Sequence, residues 1–97
     1  MGQKGKFRVS THLGHTTAIF MCPGCDESHA IRIAGEGAWG FNDDYEKPTI
    51  TPSILVHNAF HCHSYITDGR IQFLGDCKHA LKGQTVDLPE LPEWMKD

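Results

Sequence analysis

Ninety-seven residues suffice for one small domain and leave no room for a second. With 39% hydrophobic and 22% charged residues the chain reads as globular, and no run reaches the roughly 18 apolar residues of a membrane helix. A net charge of −3 argues against a broad nucleic-acid footprint.

Residues 1–6, with Lys4 and Lys6, read as a flexible polar tail. No apolar core follows their basic residues, which argues against a signal peptide and implies a cytoplasmic location. Residues 7–10 begin an edge strand. Residues 16–21 (TTAIFM) form a strand that runs into Cys22-Pro23-Gly24-Cys25, and residues 29–33 leave it as a second strand. Residues 34–40 hold three glycines and make a turn or loop. The next stretch, WGFNDDY, is acidic but lacks the ligand spacing of a calcium loop. Residues 49–57 are β-branched and interrupted by Pro52, which implies an edge or a bulge.

Asp68-Gly69 is a two-residue hairpin signal between residues 61–67 and 70–76. With these two in the turn, Thr67 faces Arg70, Ile66 faces Ile71, Ser64 faces Phe73, Cys62 faces Gly75 and Phe60 faces Cys77. Period-two alternation puts Phe60, Cys62, Ile66, Ile71, Phe73 and Cys77 on an inward face. His61, His63, Tyr65, Thr67, Gln72, Leu74 and Asp76 fall on the other. Residues 78–83 are a polar turn or a single helical turn. Residues 85–88 form a last strand, and residues 88–94 an extended tail packed by its Leu and Trp. The fold class is mainly β: a small antiparallel, zinc-ribbon-like domain over 1–97, stabilised by one structural zinc.

Such a small core, with ten glycines and five prolines, needs a staple. The Cys-x-x-Cys turn presents two thiolates to one ion, and the hairpin register brings two more cysteines to the same side. The reading is a closed Zn²⁺ site of Cys22, Cys25, Cys62 and Cys77, structural because no coordination position is open. His79, and less directly His29, are substitute ligands. Disulfides and free buried cysteines are the competing readings.

The outer face of the hairpin places His63 near Asp76, whose cross-strand partner is His61. A carboxylate beside an imidazole orients it as a general base. Ser53, beside the Pro52 irregularity, is the candidate nucleophile, with Ser64 and Ser10 as alternatives. Read blandly, Ser53 is a bulge hydroxyl and His63 a solvated side chain.

The run WGFNDDYEKPTITPSILV, followed by HCHSYITDGRIQFLGDCKHALKGQTVDLP, resembles a family of small phage and prophage proteins. Members often carry an ammonia monooxygenase label that nothing in the residues supports. More distantly, Cys-x-x-Cys, Pro-Ser-Ile, Cys-His-Ser-aromatic-Ile and Asp-Gly-x-Ile resemble a zinc-containing serine peptidase family of bacterial operons encoding ubiquitin-like proteins. That resemblance implies Ser53 as nucleophile and matches His63 to the family's histidine, which stands one or two places later there. Asp76 is a geometric choice.

Two functions follow. As a serine peptidase, the chain would use Ser53, His63 and Asp76, with Asn42 as an extra oxyanion donor, on an extended protein C-terminus. As a non-enzymatic phage-type zinc module it would bind a host protein through Trp39, Phe41 and Tyr65. Nucleic acid contacted by Lys4, Lys6 and Arg8 is the less favoured partner, and no membrane is implied. The distance from Ser53 Oγ to the His63 ring separates them: hydrogen-bonding contact favours the enzyme, and more than about 6 Å the module.

Overall fold

The computed structural model describes residues 2–96. It is mainly β and antiparallel, with no α-helix among the described residues and none long and apolar enough to cross a membrane. One sheet holds β1 (Gly2–Lys4), β2 (Phe7–His12), β3 (His15–Cys22) and β4 (Glu27–Ala34) in that order. The other holds β5 (Gly40–Phe41), β6 (Ile50–Val56), β7 (Cys62–Thr67), β8 (Arg70–Phe73) and β9 (Thr85–Asp87), also in chain order. Within each sheet every strand pairs antiparallel with its sequence neighbour, so neither sheet needs a crossover connection.

Period-two alternation explains which faces meet. Ala18, Phe20 and Cys22 of β3, Ile31 of β4, Cys62 and Ile66 of β7, and Ile71 and Phe73 of β8 are all buried in one shared core. Phe7 links the sheets. Its ring lies 6.2 Å from Phe20 in its own sheet and 6.0 Å from Phe41 in the other.

The hairpin register agrees with the expectation at Thr67–Arg70, Ile66–Ile71 and Ser64–Phe73. Asp68 and Gly69 have φ of 50° and 76°, the left-handed pair that a tight hairpin turn demands. The ladder then ends at Phe73, short of the expected Cys62–Gly75 and Phe60–Cys77 pairs. From Leu74 the chain turns back, and the Cys77 N–H donates to the Leu74 carbonyl at 3.2 Å.

Three further expectations are corrected. The tail is not loose: Gly2–Lys4 forms β1, because Gly5, at φ 57°, makes a tight turn against Tyr45. The strand starting at Phe7 is not an edge, since β1 and β3 flank it. The C-terminal stretch is packed by Leu88, Leu91 and Met95, while Trp94 is 74% exposed. Met95 lies in a 3₁₀ turn, Glu93–Met95, with its side chain buried.

Candidate active site and metal cluster

β6 carries the irregularity that Pro52 implied. Its register with β7 shifts between Ile50 and Ile54, the Thr51–Pro52 bond is cis, and Ser53 lies inside the shifted segment. Beyond it Leu55 stands opposite His63. Odd-numbered residues of β6 thus share a face with the odd-numbered residues of β7. Ser53 is held from behind by Trp39, whose indole N–H donates to the Ser53 carbonyl at 3.2 Å.

On this face the structure brings together the three residues of the proton-transfer reading. Ser53 Oγ lies 3.0 Å from His63 Nε2, and His63 Nδ1 lies 3.1 Å from Asp76 Oδ2. A carboxylate can only accept, so Nδ1 carries the proton and the Nε2 lone pair faces the serine hydroxyl. The hydrogen bond from His63 holds the Asp76 carboxyl below its ordinary range. His61 Nε2 donates to the same Asp76 oxygen at 3.2 Å.

The alternatives lie elsewhere. Ser64 is buried on the opposite face of β7, and Ser10 belongs to the other sheet. Asn42 is spent on its own loop. Its Nδ2 donates to the Lys47 carbonyl, and its Oδ1 accepts from the N–H groups of Asp44 and Thr49.

Behind the same strands lies a buried cluster. Cys22 ends β3, Cys25 follows in the turn, His29 sits in β4 and Cys62 opens β7. Their ligand atoms lie within 4.8 Å of one another, which can hold a metal ion. Two features of the donor set fit one. The Cys22 and Cys62 sulfurs are 3.8 Å apart, and a tetrahedron with metal–sulfur bonds near 2.3 Å spaces sulfurs about 3.8 Å apart. His29 Nε2 is buried without a hydrogen-bond partner, a costly arrangement unless its lone pair meets a ligand. One main-chain and one side-chain donor support the sulfurs: the Cys25 N–H donates to Cys22 Sγ and the Asn58 side-chain Nδ2 donates to Cys25 Sγ, each at 3.4 Å. A hydrogen bond from the Cys62 thiol holds the Cys22 pKa well below the ordinary thiol value, while the Cys22 thiolate and burial push that of Cys62 up.

Three of the four expected cysteines therefore meet, with His29 as the fourth member. Cys77 falls outside this group, because the chain leaves the β8 ladder at Phe73 and turns it toward the main chain of His63. It groups instead with Cys62 and His79, a second set whose ligand atoms lie within 4.8 Å of one another and can hold a metal ion. His79 Nδ1 accepts the Leu81 N–H at 3.2 Å, which leaves Nε2 protonated, 3.8 Å from Cys62 Sγ, as a donor to that sulfur. Its ring lies over Gly24, where any Cβ would collide with it. The sequence offered no direct signal for Trp39 behind Ser53, since indole and carbonyl lie fourteen residues apart across a loop.

Among models of known families, the one described as bacterial ubiquitination-like system serine protease (BubE) matches residues 1–74. That span contains Ser53, His63 and all four members of the buried cluster; Asp76, Cys77 and His79 follow within five residues of its end. No curated protein and no solved structure matches the chain.

Proposed function

The chain belongs to the BubE family of bacterial ubiquitination-like system serine proteases, and from that premise we propose that it cleaves peptide bonds with Ser53, His63 and Asp76. Ser53 Oγ attacks the scissile carbonyl while His63 Nε2 takes its proton. Asp76 keeps the proton of His63 on Nδ1 and stabilises the imidazolium that forms. His63 then passes the proton to the leaving amine, and water repeats the sequence on the acyl-enzyme. Main-chain N–H groups around the Pro52–Ser53 irregularity are the donors for the oxyanion. The observation that carries this reading is the pair of contacts on one imidazole, 3.0 Å to Ser53 Oγ and 3.1 Å to Asp76 Oδ2.

The substrate is a protein, taken as an extended segment such as a C-terminus. β5 pairs with β6 at Ile50 and Thr51 and the Trp39 indole takes the Ser53 carbonyl, so the stretch of edge past Ser53, toward Val56, is where a further strand would add. Cys22, Cys25, His29 and Cys62 would hold zinc, the metal that a soft sulfur set with one imidazole favours. Bound there, zinc would tie β3 and β4 to β7 as a closed structural ion. A reducing bacterial cytoplasm suits such thiolates.

A fluorophosphonate probe tests the nucleophile. The wild-type protein should be labelled on the peptide containing Ser53, and Ser53→Ala should take no label while keeping its zinc. Equal labelling of both proteins would remove Ser53 from the reaction.

A further inference from the structure

Taking the peptidase reading as its basis, we infer that Cys77 is a positioning residue for His63 and not a metal ligand. The Cys77 side chain is 2% exposed, and its sulfur makes two contacts with one residue. It accepts the His63 N–H at 3.1 Å and donates its S–H to the His63 carbonyl, also at 3.1 Å. Only a protonated thiol does both. A metal-bound thiolate has no proton to give, and its charge would face the carbonyl oxygen at the same distance.

The turn that carries Cys77 holds His63 at its N–H, its carbonyl and its ring. The Leu74 N–H donates to the His63 carbonyl at 2.9 Å, and the turn closes with the Cys77 N–H on the Leu74 carbonyl. Between them Asp76 holds Nδ1 of the imidazole. Leu74 and Cys77 thus replace the strand that β8 no longer supplies beyond Phe73. They hold the main chain of His63 while Asp76 holds its ring. One short turn therefore sets both the position and the tautomer of the base, and Ser53 meets an imidazole that is already aimed.

The test compares Cys77→Ala with Cys77→Ser in the full chain by three measurements: zinc per chain, exchange of the His63 amide proton, and the rate of fluorophosphonate labelling. Both variants should keep the wild-type zinc content. In Cys77→Ala the His63 amide should exchange roughly tenfold faster or more, and labelling should slow by a similar factor. Cys77→Ser, whose hydroxyl also donates and accepts, should restore most of both. Loss of zinc in either variant would make Cys77 a ligand and overturn the inference. So would an unchanged His63 amide in Cys77→Ala, or equal behaviour of the two variants, which would reduce Cys77 to packing. A wild-type protein that takes no label on Ser53 would refute the peptidase reading alone, because zinc content and amide exchange still report on Cys77.

Discussion

His61 and His63 donate to the same oxygen, Asp76 Oδ2, at 3.2 and 3.1 Å. His61 reaches it from a left-handed backbone position, φ 46°, just before β7 begins. Its N–H is tied to the Asn58 carbonyl at 3.1 Å, so the turn into β7 holds this second imidazole in place. Asp76 is therefore held by two donors although half of its side chain is exposed.

Replacing Asp76 with Asn keeps the shape and removes the charge that, in the proposed reaction, would stabilise the imidazolium. Labelling of Ser53 should fall by about 10⁴-fold, the size of the loss when a triad aspartate is neutralised elsewhere. Because Asp76 is exposed, thermal unfolding should change little. A variant that labels at the wild-type rate would take Asp76 out of the relay.

The depressed carboxyl of Asp76 gives a pH prediction with a definite sign. Stability from its contact with His63 is fully present above the unfolded carboxylate value. It is lost only as pH falls through the lower folded value. Carbon NMR of the Asp76 carboxyl should show a midpoint below the ordinary value of about 3.9. In His63→Ala, which removes the main cause of the shift, the midpoint should rise.

Trp39→Phe keeps an aromatic ring and deletes the N–H that holds the Ser53 carbonyl. A hydrogen bond contributing about 1 kcal/mol corresponds to roughly fivefold in rate if it is felt at the nucleophile. Labelling of Ser53 should slow by about that factor, with zinc content unchanged. An unaltered rate would show that the indole only packs.

His29→Ala should lose zinc, since Nε2 is the sole imidazole donor in the cluster with Cys22, Cys25 and Cys62. A core of this size is marginal without a staple. Chelation of the wild type should therefore abolish the cooperative thermal transition seen by circular dichroism, and restoring zinc should bring it back. Full zinc in His29→Ala would exclude His29 from the site.

Ile66 is fully buried on β7 in the core shared by both sheets. Ile66→Ala should cost about 2–5 kcal/mol, the usual range for truncating a core isoleucine. Denaturant unfolding of the zinc-loaded protein measures it.

The sequence by itself determined what depends on near neighbours. Asp68-Gly69 dictates the turn, the turn dictates the register, and period two then sorts Cys62, Ile66 and Phe73 inward and His63 and Tyr65 outward. The Cys-x-x-Cys turn is equally local, and so is the disturbance at Pro52 that sets Ser53 apart. Tertiary structure decided where that arithmetic stops. Parity assigns a face for as long as a ladder runs, but not the residue at which it ends. β8 ends at Phe73, so Cys77 turns to the main chain of His63 and leaves a place among the sulfurs that His29 takes from the other sheet. Trp39 reaches Ser53 only through the packing of a loop against β6. Contacts between segments distant in sequence follow from how the two sheets close on one core, and no local pattern encodes that closure.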